Sequence, residues 1–245
     1  MSGPAKIPSV AMVLAAGLGK RMRPITDTIP KPLVKIAGKT LLDWGLDSLA
    51  MAGVEKAVVN VHYLPDQIVA HAASRRAPSI AISDERDGLL DSAGGIVKAL
   101  PELGTDPFYI VNADTFWVDE GTPNLTRLAL AWDDARMDIL IMLAALPQAT
   151  GHSGGTDFLV APDGQLRRAA GSPDGLIYAG AAIIHPRIFA DAPAGAISLN
   201  RYFDEAISAG RLFGMPMHGS WITVGTPDAI VPAEAAVKRA LAGAQ

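Results

Sequence analysis

The sequence predicts an α/β fold with one mixed, mostly parallel central sheet, helices on both faces and a small hairpin subregion. Three observations predict it. Short continuous apolar runs (residues 10–16, 56–61 and 138–146) read as strands buried on both faces, as in a parallel sheet. Helix-period stretches alternate with these runs through short connections, the pattern of strand–helix–strand units. After residue 150 a Gly-rich loop leads to two short β-like runs around Pro162-Asp163-Gly164, a hairpin turn signal.

The first strand, residues 10–16, stops at Gly17. A loop rich in Gly, Pro and basic residues then runs to about Lys39. Thr40 caps a helix reaching Met51, with Asp43 three residues on and Gly53 beyond its end. Residues 56–61 form the second strand and 65–73 the second helix. A short strand at 79–83, a helix at 93–100 and a strand at 108–111 continue the alternation. A helix covers about 123–132, and 138–146 is another buried strand. Residues 156–160 and 165–169 make the hairpin, and 176–184 a further strand. Helices follow at 200–209 and 227–241, the last opened by Thr226 as N-cap with Pro227 at its first position. Without a linker or internal repeat, residues 1–245 are expected to form one domain.

The 245 residues are 49% hydrophobic, too apolar for an intrinsically disordered chain. No apolar run approaches the roughly 20 residues of a membrane helix, and no basic-then-apolar signal segment opens the chain. The expected location is cytoplasmic, away from any membrane. The absence of cysteine excludes disulfide scaffolds, zinc-thiolate sites, iron–sulfur clusters and cysteine nucleophiles.

The formal net charge of −4 argues against nucleic acid as a partner, yet its distribution is uneven. Residues 20–39 hold six bases (Lys20, Arg21, Arg23, Lys31, Lys35 and Lys39) and one acid, Asp27. That segment is +5 and the remainder −9. An acidic chain with one concentrated basic loop suits a small polyanion as ligand.

The same loop carries the most informative motif, Leu14-Ala15-Ala16-Gly17-Leu18-Gly19-Lys20-Arg21-Met22-Arg23-Pro24-Ile25-Thr26, followed by Pro30-Lys31-Pro32. Two spaced glycines after a buried strand let backbone N–H groups approach phosphates closely. Arg21 adds a planar, bidentate donor, and Lys20 and Lys31 add point charges. A Walker loop requires Ser or Thr after Gly-Lys, where this chain has Arg21. The dinucleotide fingerprint requires a third glycine, where it has Met22, which disfavours an oxidoreductase.

This motif closely resembles the signature of sugar-1-phosphate nucleotidylyltransferases, and three further segments in the same order extend the resemblance along the chain. Asp91-Ser92-Ala93-Gly94-Gly95 resembles the family's acidic-(Ser/Thr)-Ala-Gly-Gly segment. Val111-Asn112-Ala113-Asp114 resembles its metal motif, and Trp221-Ile222-Thr223-Val224-Gly225-Thr226-Pro227 its Trp-x-Asp-(Val/Ile)-Gly-Thr motif. The overall pattern is most similar to single-domain N-acetylmuramate-1-phosphate uridylyltransferases of bacterial cell-wall recycling, with mannose-1-phosphate and heptose-1-phosphate guanylyltransferases as alternatives.

The resemblance implies a Rossmann-like fold of the nucleotide-diphospho-sugar transferase type, with nothing appended after the last helix. Its nucleotide part would cover about 9–115, its sugar part about 116–225, and a C-terminal helix about 227–241. The implied reactants are a nucleoside triphosphate, best UTP, and a sugar-1-phosphate, with Mg²⁺ as cofactor and a monomer or small homo-oligomer as the assembly. Ala15, Ala16, Gly17, Gly19, Lys20, Arg21 and Gly94 would hold the nucleotide. Lys31, Asn112, His152 and Asp157 would hold the sugar phosphate, and Glu85 and Arg86 are candidates for the base pocket. Arg21, Lys31 and Asp114 would be catalytic, with Asp114 the Mg²⁺ ligand. Thr223 departs from the pattern, because the family has a second metal-binding aspartate there. A hydroxyl offers an oxygen without charge, so a weakened paralogue that only binds nucleotide or sugar phosphate is a second reading.

Overall fold

The protein, seen in a computed structural model, is described over residues 7–243; residues 1–6 and 244–245, the two ends of the expected domain, lie outside that range. The chain opens with β1 (Val10–Leu14), whose end releases the Gly-rich loop. That loop folds into three short 3-10 turns and the small ribbon of β2 (Lys35–Ile36) and β3 (Lys39–Thr40). Thr40 then caps α1 (Leu41–Met51) as predicted, its hydroxyl accepting the Asp43 N–H at 3.0 Å. There follow β4 (Lys56–Val61), α2 (Pro65–Ala72), β5 (Ser79–Asp84), α3 (Asp91–Leu103) and β6 (Phe108–Asn112). The second half contributes β7 (Thr115–Asp119), α4 (Asn124–Ala131), β8 (Ile139–Ala144), β9 (Ala149–Thr150), and the hairpin β10 (Phe158–Val160) and β11 (Leu166–Arg168). It ends with β12 (Ile177–Ile184), α5 (Leu199–Ser208), β13 (Leu212–Pro216), β14 (Gly219–Thr223) and α6 (Ile230–Gly243).

Seven strands form the central sheet in the order β13-β8-β12-β6-β1-β4-β5. Only β12 runs antiparallel to its neighbours, β6 and β8, so the sheet is mixed and mostly parallel, as expected. Side chains alternate across it with period two. Ala11, Val13, Val59 and Val111 face one way and pack with Leu42, Leu46, Leu125 and Leu128 of α1 and α4. Met12, Val58, Ile110 and Ile141 face the other way and pack with Ile96 and Phe203 of α3 and α5. Burying each such side chain contributes about 1.5–3 kcal/mol. Among the described residues no helix is long and apolar enough to cross a membrane.

Six strands were not expected: the two-residue β2, β3 and β9, and the longer β7, β13 and β14. β7 follows β6 after only Ala113 and Asp114, so Asp114 is the single turn-favouring residue between the two runs. It pairs with β14, which in turn pairs with β9, in a second sheet. Phe116 and Ile222 of that sheet join Met22, Ile36, Leu41 and Val237 in a third core cluster, which seats the basic loop against α6. The cap at Thr226 is a correction. Its side chain accepts no hydrogen bond, residues 227–229 form a 3-10 turn, and α6 begins only at Ile230.

Candidate active site

The C-terminal edge of β1 and β6 opens into a cleft of about 650 Å³. Ligands of open α/β sheets collect at this edge, where diverging loops leave a crevice. Ala15, Ala16, Gly17, Gly19, Lys20 and Arg21 line it, together with Lys31, Asn112 and Asp114. The two glycines have separate reasons. Nothing stands within 4 Å of where a side chain on Gly17 would begin, so the cleft is open above it. Gly19 is left-handed (φ +62°), and a Cβ there would meet Thr26 Cγ2 at 3.0 Å and Lys31 Cβ at 3.2 Å. The Thr26 hydroxyl donates to the Gly19 carbonyl at 2.8 Å and closes the turn.

The six bases of residues 20–39 divide. Arg23 pairs with Asp27 (3.1 Å) and Lys39 with Asp47 (2.7 Å), so neither reaches the cleft. Lys35 is exposed elsewhere. Lys31 donates to Asp114 Oδ2 at 2.8 Å, with 11% of its side chain exposed against 42% for Asp114. Among the described residues Arg21 has no hydrogen-bond or ion-pair partner, and its guanidinium lies 3.7 Å from where a side chain on Gly225 would begin. An unpaired guanidinium above one Lys–Asp pair suits a multiply charged anion better than a neutral ligand.

Asp114 is fixed by its neighbours. Its carbonyl accepts the Val224 N–H at 3.2 Å, and Thr115 and Thr223 are partners in the β7–β14 register. This brings the two segments of the expected metal site together, although Thr223 itself does not line the cleft. Tyr178 carries a buried hydroxyl with no partner among the described residues. Burial, with the Asp114 charge adding, pushes that hydroxyl well above the usual tyrosine range and keeps it neutral.

Five residues expected at the site do not line this cleft. Gly94 does not face the cleft: a Cβ there would lie 2.3 Å from the Gly195 carbonyl oxygen, so the close approach is by the protein's own backbone. The first turn of α3 is likewise occupied, since the Ile197 carbonyl accepts the N–H groups of Ala93 (2.8 Å) and Gly94 (3.1 Å). His152 lies outside the cleft, with Nε2 3.0 Å from the Gly155 carbonyl and its ring 5.6 Å from that of Trp221. Asp157 is also outside, where its carboxylate accepts the Tyr178 N–H at 2.8 Å. Glu85 is 1% exposed behind the cleft wall, and Arg86 pairs outward with Asp66 and Asp84.

The cleft also contains residues not anticipated: Asn60, Leu89, Ala196 and Gly225. Asn60 was findable as the one polar residue inside the apolar run 56–61, where only a bonded side chain is tolerated. Asp91, at the edge of the cleft, holds a left-handed backbone (φ +58°) that Asp tolerates better than most residues.

Residues 11–191 match the model of the MobA-like NTP transferase domain. The chain belongs to this family. An N-acetylmuramate alpha-1-phosphate uridylyltransferase of Caulobacter vibrioides is 43% identical over 238 residues, covering 95% of this chain and 98% of that protein. Another of the same description, from Neisseria meningitidis serogroup B, is 36% identical over 229 residues, covering 92% and 96%. Among solved structures, the inositol-1-phosphate CTP transferase of T. maritima superposes with a TM-score of 0.77 at 17% identity, over 95% of this chain and 97% of that one. At that identity the likeness concerns the fold, which is that of the nucleotide-diphospho-sugar transferases. The resemblance read from the four motifs holds over the whole chain, and the protein is a nucleotidyltransferase.

Proposed function

We propose that this chain transfers a uridylyl group from UTP to N-acetylmuramate α-1-phosphate, giving the UDP-sugar and pyrophosphate. The cleft's charge pattern carries the reaction class: an unpaired Arg21 and Lys20 above the Lys31–Asp114 pair, beside two glycines. The two uridylyltransferase relatives support the choice of base and sugar. Nucleoside triphosphates are made and used in the cytoplasm, and we place the protein there.

The second pKa of a phosphate monoester is about 6, so the sugar phosphate is already anionic near neutral pH and needs no general base. One of its oxygens attacks the α-phosphorus of UTP. The bond from that phosphorus to the bridging oxygen breaks in line, and the electron pair leaves with pyrophosphate. The residues align the two phosphates and neutralise charge. In this reading Gly17 and Gly19 admit the triphosphate, Arg21 binds the departing pyrophosphate, and Lys31 contacts both reacting phosphates. Asn112 lies on the sugar-phosphate side.

Among the described residues no group of three or more His, Asp or Glu could cage a metal ion. The exposed Asp114 carboxylate in the lining of the cleft nevertheless fits Mg²⁺, which takes one or two carboxylates and completes its shell with phosphates and water. Asp114 would hold it, with Thr223 nearby contributing no charge. When bound, Mg²⁺ supplies positive charge at the reacting phosphates.

Pyrophosphate release across the four common NTPs, each paired with N-acetylmuramate-, mannose- and heptose-1-phosphate, tests the proposal. Release with UTP and the N-acetylmuramate ester alone is expected. Release with GTP and mannose- or heptose-1-phosphate instead would overturn the substrates. Binding without release from any pair would make the protein a nucleotide-binding paralogue.

A further inference from the structure

Glu85 is a buried carboxylate that the reaction above does not use. It is 1% exposed, and among the described residues no cation pairs with it. A polar group so placed is costly unless hydrogen bonds satisfy it. Two do. Oε1 accepts from Asn60 Nδ2 at 2.7 Å, and Oε2 accepts the Leu90 N–H at 3.4 Å. Asn60, 3% exposed in β4, turns its Oδ1 to the Ala15 N–H at 2.6 Å. Gly95 makes room for the pair, since a Cβ there would fall 2.6 Å from Glu85 Oε1 and 2.7 Å from Asn60 Nδ2.

The two oxygens of Glu85 therefore serve two separate segments that line the cleft. Through Asn60, Oε1 fixes Ala15, where the glycine loop begins. Through Leu90, at the longer distance of 3.4 Å, Oε2 holds the segment whose neighbours Leu89 and Asp91 also line the cleft. We propose that Glu85 and Asn60 are positioning residues that set the width of the nucleotide cleft. With Oε1 accepting from its amide nitrogen, Asn60 is left in the one orientation that offers oxygen to Ala15. This rests on the cleft being the nucleotide site proposed above.

Donor and acceptor counting makes the proposal testable with isosteric variants. In Glu85→Gln the new amide cannot accept from both Asn60 and Leu90. Whichever way the two amides turn, one donor faces another, at Leu90, Asn60 or Ala15. In Asn60→Asp two buried carboxylates face each other. Combining Asn60→Asp with Glu85→Gln restores every match. The new carboxylate at position 60 accepts from the Ala15 N–H and from the amide nitrogen introduced at position 85, whose amide oxygen accepts from Leu90.

Each single variant should raise the Kd and KM for UTP about tenfold, with kcat within about threefold, and the double variant should return most of that loss. Amide hydrogen exchange at Ala15 and Leu90 should speed up in the singles and slow again in the double, with no nucleotide present. The proposal is overturned if Glu85→Gln leaves UTP affinity and Ala15 exchange at wild-type values. It is equally overturned if the double variant is no better than the worse single one, in affinity or in yield of folded protein. A wild-type chain that bound no UTP would sink the substrate reading, and the exchange measurement would still decide whether the relay exists.

Discussion

Replacing Lys31 by methionine keeps the stem of the side chain and removes its charge. The structure predicts a large kinetic and a small thermodynamic effect. At 2.8 Å the gross attraction between Lys31 and Asp114 is about 1.5 kcal/mol at the dielectric constant of water, and about 6 kcal/mol at an effective value near 20. Desolvation of the ammonium, 11% exposed, offsets most of this, while Asp114, 42% exposed, stays hydrated once its partner is gone. The net loss should be about 1 kcal/mol or less, which for a chain of this size lowers Tm by about 2–4 °C. The reaction, by contrast, would lose a cation at the point where charge develops, typically a factor of about 10²–10³ in rate. Thermal unfolding and initial rates of pyrophosphate release, measured on the same preparation, separate the two. A variant within fivefold of the wild-type rate would remove Lys31 from the reacting phosphates. One that loses 8 °C or more would make Lys31 a structural anchor instead.

Gly94→Ala would place a methyl group 2.3 Å from the Gly195 carbonyl oxygen and 3.3 Å from the Ile197 nitrogen. It should cost about 1–3 kcal/mol in denaturant unfolding. Gly88→Ala, with nothing within 4 Å, should stay within about 0.5 kcal/mol, and equal effects would refute the packing argument. At Asp43 burial pushes the carboxyl up, but hydrogen bonds from Thr40, His71 and Arg75 outweigh it and hold the group below its ordinary 3.8. A depressed carboxylate stabilises the fold above its unfolded pKa, and the contribution is lost as pH falls through the folded value. Asp43→Asn should therefore lower Tm at pH 7, and the gap should close below about pH 4; a gap independent of pH would contradict the assignment. Thr223→Asp adds a carboxylate on the strand bonded to Asp114. Its Tm should fall in EDTA and recover with millimolar Mg²⁺ more than the wild type does, and identical Mg²⁺ titrations would place residue 223 outside the metal's reach.

Most of the sheet was legible because buried strands and amphipathic helices leave periodic marks. Thr40 was readable as a cap, and Leu14-Ala15-Ala16-Gly17 as the end of a strand opening onto a loop. What stayed hidden depends on contacts between distant segments. β7 and β14 stabilise each other, and neither Thr115–Asp119 nor Gly219–Thr223 shows a sufficient pattern alone. Gly94 and Gly95 could be read as room for a ligand, whereas the space is filled by the Gly195 carbonyl and by Asn60 with Glu85. The +5 segment pointed to the loop that lines the cleft. It could not reveal that Asp47 claims one of its cations, since Asp47 approaches Lys39 only once α1 is formed.

The bonds that join residues 90–94 to 197–199 have a consequence for the order of assembly. The Ser92 hydroxyl accepts the N–H of Leu199, 107 residues later, and Ala196 and Gly225 complete the cleft. All of these partners lie beyond residue 191, where the match to the family model ends. A nascent chain with only its first 191 residues emerged can pair β1, β4, β5 and β6, but the start of α3 has nothing to cover it. Nucleotide binding during synthesis should therefore begin only after residue 225 has left the ribosome. Among the described elements, only the 227–229 turn and α6 come later.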